Sequence, residues 1–98
     1  MNLFRHFEGE VAEILADLVA EGRLPETARD RRVAVEPPRE ARLGDVATNA
    51  ALLLARDAGQ SPRALAEMIA DRLRSLPGVA GVEIAGPGFV NLRLTDDF

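Results

Sequence analysis

The chain has 98 residues, 47% of them hydrophobic, with four Phe, no Trp, no Tyr and no Cys. That length suits one compact domain with an adequate but thin core, and the missing Cys excludes disulfides and thiolate metal sites. A net charge of -4 excludes a protein that grips nucleic acid by bulk charge.

The charge is unevenly spread. Residues 1–30 hold seven acids against three bases, residues 31–74 hold eight Arg against six acids, and all twelve basic residues are Arg. A compositional bias of the source is the ordinary explanation, although Arg suits planar, bidentate contact with phosphate and bases better than Lys does. The opening MNLFRHFEGE is charged and interrupted within a few residues, so it does not read as a signal peptide, and no apolar run approaches membrane-spanning length. The expectation is a soluble, cytoplasmic, monomeric protein with no membrane partner.

In chain order, residues 2–21 read as an amphipathic helix, with Phe4, Phe7, Val11, Ile14, Leu15 and Leu18 on one stripe and most acids opposite. Gly22 and Pro25 stop it. Residues 26–31 read as a loop. RVAVE, 32–36, alternates and predicts a short strand ended by Pro37-Pro38. REARLG, 39–44, is a charged loop. Asp45 is placed as the N-cap of a helix running to residue 58, with Ala47, Ala50, Ala51 and Leu54 as a narrow packing face and Gly59 as its stop. Ser61-Pro62 starts a third helix, whose buried stripe is Leu65, Ile69, Leu73 and Leu76, and Pro77-Gly78 ends it. Residues 79–85 form a strand. Gly86-Pro87-Gly88 suits a type II turn with positive φ at Gly88, and residues 89–94 return antiparallel. TDDF at the end has no structural role of its own. The expected fold is α+β: a small, mostly antiparallel, three- to four-stranded sheet with three helices packed on one face.

Catalytic chemistry is missing. His6 is the only His, sits among apolar residues and reads as a surface or packing residue; there is no Lys, no phosphate-cradling loop and no carboxylate pair that stands out as an acid/base couple. What stands out is AGPGFVNLRL, 85–94. As a strand it puts Val90, Leu92 and Leu94 on one face, leaving Phe89, Asn91 and Arg93 on the other. An aromatic face stacks an unpaired base, and a side-chain amide bonds a base edge. The structural alternative makes Phe89 a core residue and leaves Asn91 to satisfy a turn.

Two segments, residues 35–73 and 82–94, carry a resemblance. Glu36 before Pro37-Pro38, then Gly44-Asp45, Thr48-Asn49, Pro62-Arg63 and finally Ala85-Gly86-Pro87-Gly88-Phe89 with Asn91 stand in the order seen in the N-terminal additional domain of arginyl-tRNA synthetases, and the chain resembles that family over its whole length. The resemblance implies a domain that packs on the corner of the L-shaped arginine tRNA and contacts its D-loop, with Phe89 and Asn91 placed against a D-loop base. Arg93, on the same face by alternation, is expected within reach of phosphate. Arg39 and Arg42, after the prolines, are candidate phosphate contacts or solvated charges. Asp45 as a cap and small residues for close packing account for most of the Gly44–Asn49 stretch. The family's ATP- and Mg-dependent catalytic domain and its anticodon-binding domain are not in these 98 residues. The chain is therefore expected to be a piece of such an enzyme, with no cofactor of its own, inactive by itself, and partnered by arginine tRNA and the synthetase's catalytic domain. The competing expectation is a structural module that docks on the catalytic body without reading a base.

Overall fold

A computed structural model describes residues 2–98, and of Asp30 the backbone alone. The first helix, α1, spans Leu3–Ala20. The Asn2 side chain caps it, accepting from the Phe4 and Arg5 amides at 3.0 and 3.2 Å. The predicted stripe is its buried face, with Phe7, Val11, Ile14, Leu15 and Leu18 all but inaccessible and Val19 beside them. Phe4 sits half-buried at its margin. A short 3₁₀ turn, 26–30, follows where a plain loop was expected.

Strand β1 covers only Val35–Glu36 of the expected 32–36. The shortening has a local cause: the Ala34 amide goes to the Asn49 side-chain oxygen at 3.1 Å instead of to a ladder. Val33 and Val35 are nevertheless both buried, as their alternation implied. Another 3₁₀ turn, 41–43, lies in the charged loop.

The larger difference comes next. Residues 46–48 are not helical; they form strand β2, Val46–Thr48, and the helix α2 begins only at Ala50 and ends at Ala58. Asp45 is therefore not the cap of α2. Its backbone amide donates to the Leu92 carbonyl at 2.7 Å, and its carboxylate accepts from the Leu94 amide at 2.8 Å. The Thr48 hydroxyl, buried just before the helix, accepts from the Ala50 amide at 3.3 Å. A β-branched pair, Val46 and Thr48, flanked by two strands with free ladder groups, outweighs the helix preference of the alanines that follow.

Helix α3, Pro62–Arg74, starts as read: the Ser61 hydroxyl accepts from the Ala64 amide at 3.1 Å, with Pro62 in the first turn. Strands β3, Val79–Ala85, and β4, Phe89–Leu94, complete the molecule. The sheet order is β1-β2-β4-β3 and every pairing is antiparallel. Val46, Val82, Val90 and Leu92 face the helices and join Leu54, Leu65, Ile69 and Leu73 in one core. All three helices pack on that side, and α2 lies against α3 and β4 with its small residues Ala50, Ala51 and Ala55 buried. The α+β architecture is thus the expected one, with the fourth strand supplied by residues 46–48.

The C-terminal TDDF does have a role. Phe98 packs at a tilt against His6 and Phe7, with ring centroids 5.3 Å from each, and lies over Gly78. The Thr95 amide donates to the Gly78 carbonyl at 2.9 Å. His6 is a packing residue, edge-on to Phe7 at 5.0 Å.

Candidate nucleic-acid interface

The hairpin between β3 and β4 is set from beneath by the start of α3. The turn Gly86-Pro87-Gly88 has its positive φ at Gly86, at 56°, not at Gly88 as expected for a type II turn. Gly88 is constrained in another way: it packs closely on the start of α3, where a Cβ would come within 3.0 to 3.2 Å of Pro62. Arg63 adds a tie, its guanidinium donating to the Gly86 carbonyl at 3.2 Å. The Pro62-Arg63 pair thus positions the turn that presents Phe89.

Phe89 is 40% exposed and, with Phe98, one of two exposed large apolar side chains among the described residues. It is not a core residue. Asn91, two residues on and on the same face, is only 5% exposed. Sequence alternation places it on a wet face; the segment 37–44 folds over that face and recesses it. Among the described residues, no buried polar side-chain atom lacks a partner, and no protein group bonds the Asn91 amide. Its donor and acceptor therefore keep contact with solvent, in the groove and the neighbouring recess that Asn91 lines.

Strand register builds the floor. Glu36 pairs with Ala47, Ala47 with Asn91, and Asn91 with Glu83, so these four cross the sheet in one row on the face away from the helices. Ala47 is small and leaves space above it. The result is a groove of about 620 Å³, within the ~300–1,000 Å³ typical of small-ligand clefts. Pro37, Pro38 and Leu43 wall one side, and Pro87 and Phe89 the other, with Asn91 opening into it.

The three arginines separate. Arg39 is exposed, lines the groove and makes no ion pair among the described residues. Arg42 is paired with Glu40 and lies outside the groove, on a neighbouring recess of about 330 Å³ shared with Leu43, Glu83, Asn91 and Arg93. Arg93 is exposed, but its guanidinium donates to the Arg42 backbone carbonyl at 2.7 Å. Thr48 and Asn49 are engaged structurally, through Ala50 and Ala34. Sequence reasoning missed Glu36, Leu43 and Ala47 as floor and wall. The alternation of 32–36 is the only local signal that bears on them, because the wall is made by a long-range pairing of β2 with β4.

Among the described residues, the marked ionisation shifts belong to one pair on the helices. Glu21 and Arg72 form a two-bond pair at 2.6 and 2.9 Å between the end of α1 and α3. The Arg72 hydrogen bonds hold the Glu21 carboxyl below the usual carboxylate range, and Glu21 in turn raises Arg72. Among the described residues no cluster of His, Asp or Glu could hold a metal ion, and no helix is long and apolar enough to cross a membrane.

Fold and groove together define a small α+β module with a recess floored by a sheet and edged by an exposed aromatic and an available amide. Residues 5–94 match the family described as arginyl tRNA synthetase N terminal domain, and the chain belongs to that family. The arginine–tRNA ligase of Rhodospirillum rubrum is 55% identical over 94 residues, a match covering 96% of this chain and 16% of that protein. That of Parvibaculum lavamentivorans is 52% identical over 98 residues, covering 100% of this chain and 17% of the relative. Among solved structures, the arginyl-tRNA synthetase of Thermus thermophilus superposes with a TM-score of 0.71 at 27% identity, over 98% of this chain and 14% of that one. The arginyl-tRNA synthetase of Plasmodium falciparum, at 12% identity, superposes with a TM-score of 0.67 over 93% of this chain and 16% of that one, and shares the fold. The chain thus spans a small part of the enzymes it matches.

Proposed function

We propose that this domain holds arginine tRNA for an arginine–tRNA ligase, and that the groove takes an unpaired D-loop base. Phe89 lies against the base face, the Asn91 amide bonds its edge, and Arg39 contacts a neighbouring phosphate. The observation that carries this reading is the pairing of an exposed aromatic with a recessed but unengaged amide on one groove. Aromatic stacking contributes about 1–3 kcal/mol per base, and an amide that offers both a donor and an acceptor discriminates edges. Arg42, already paired with Glu40, adds at most a salt-sensitive term. The activity itself, with its ATP and magnesium, belongs to residues outside these 98, and the catalytic domain is the second partner.

Phe89→Ala is expected to weaken binding of arginine tRNA by about 1–3 kcal/mol while costing little thermal stability, because the ring lies outside the core. Calorimetric titration and a thermal melt of the same variant read both. A competing reading, in which Phe89 docks on the catalytic body, expects the reverse: unaltered tRNA discrimination and weakened domain docking. The open amide of Asn91 favours the base, since a protein interface built on Phe89 gives that amide no task.

A further inference from the structure

The segment that walls the groove, residues 39–44, has no long regular element of its own. Its internal support is one 3₁₀ turn, with the Leu43 amide on the Glu40 carbonyl at 3.0 Å and the Gly44 amide on the Ala41 carbonyl at 3.2 Å, and the exposed Glu40–Arg42 ion pair. What locates it is β4. Gly44 crosses directly over the strand at φ 141°, and a Cβ there would lie 2.6 Å from the Leu92 carbonyl oxygen. The Asp45 amide donates to that same carbonyl at 2.7 Å, and the Asp45 carboxylate accepts from the Leu94 amide at 2.8 Å. Arg93, between them, donates to the Arg42 carbonyl at 2.7 Å. One end of β4 carries Phe89 and Asn91; the other end holds the opposite wall.

We infer that Arg93 is a positioning residue for the groove and not a phosphate contact. It acts through the Arg42 carbonyl, setting Leu43 and the Arg39–Arg42 turn at a fixed height above Asn91. The assignment rests on the groove being the RNA site. A backbone carbonyl is a neutral acceptor, so the role needs the directed N–H of the guanidinium and not its charge. Arg also keeps an apolar stem along the sheet, so a methionine can replace the stem while removing the donor. The two roles then separate cleanly. A phosphate contact adds to the salt dependence of binding, by about one unit of slope in log K against log salt for each contact. A positioning contact does not.

The test compares wild type, Arg93→Met and Phe89→Ala as the 98-residue chain. Two quantities are read: the heteronuclear NOE of amides 40–44 without RNA, and the affinity for arginine tRNA across a salt series. Arg93→Met is expected to lower the NOE of those amides, to weaken tRNA threefold to tenfold, and to leave the salt slope unchanged. A slope reduced by about one with undisturbed amides would make Arg93 a phosphate contact and overturn the inference. Loosened amides with full tRNA affinity would overturn it too, because the wall would not matter to binding. Undisturbed amides with an unchanged slope overturn it whatever the affinity does. Phe89→Ala in the same titration separates the two levels: if it leaves tRNA affinity intact, the groove is not the RNA site, and the amide data alone still report whether Arg93 holds the turn.

Discussion

At the residue scale, burial and hydrogen bonding sort three side chains on one face of one strand into three kinds. Phe89 is solvated, Asn91 is recessed and unengaged, and Arg93 is exposed but occupied by the Arg42 carbonyl. Alternation had put all three on one face, and that is where they lie. Alternation carries no information about what covers the face, so the recess around Asn91 and the occupation of Arg93 were not legible from the strand. They arise from the segment 39–44, which is some fifty residues away in sequence. Gly44 is the clearest single-residue constraint on that arrangement. It combines a φ of 141° with a Cβ position 2.6 Å from the Leu92 carbonyl, so Gly44→Ala is both conformationally strained and sterically blocked. It is expected to lower stability by about 1–3 kcal/mol, measurable by urea unfolding. It should also disturb the amides of β4.

At the element scale, the helices were readable and the middle strand was not. The stripe Phe7, Val11, Ile14, Leu15, Leu18 repeats at helical spacing for about three turns, and it is the buried face of α1. The start of α3 carries its own cap in Ser61. Residues 46–48 lack such local evidence. Three residues cannot display a period, and Asp45 before a run of small residues looks like a cap. What decides is that Ala47 and Thr48 pair with β1 and β4 at once, and Val46 with β4, a long-range effect that no local pattern contains. Helix packing yields two expectations. Leu73→Ala, at a fully buried site on α3, should cost about 2–5 kcal/mol, read by chemical denaturation. The Glu21–Arg72 pair joins α1 to α3, and its sign follows from the lowered Glu21 carboxyl. Its contribution is fully present above the carboxyl's ordinary value and disappears as pH falls through the lowered folded value. Glu21→Gln should therefore be less stable than wild type near neutral pH, by a modest and salt-sensitive margin because both groups are exposed. The gap in melting temperature should close on acidification.

At the scale of the whole molecule, an acidic domain with a net charge of -4 carries the groove proposed to take RNA, with Arg39 among its lining residues. Such a surface favours a local grip on one looped-out base over a broad electrostatic one. The salt dependence of tRNA binding by this chain is accordingly expected to be shallow, a slope of about one to two in log K against log salt, as one or two phosphate contacts give. A slope of six or more would mean a far larger basic footprint than Arg39 and Arg42 supply. The most direct measurement is an NMR titration of the 98-residue chain with arginine tRNA at low salt, repeated with a D-loop variant. Shifts centred on Phe89, Asn91 and the facing wall at residues 37–43, weakened by the D-loop change, are the expected result. Shifts absent from that groove, or present there and indifferent to the D-loop, would contradict the assignment of β4 as the strand that reads a base.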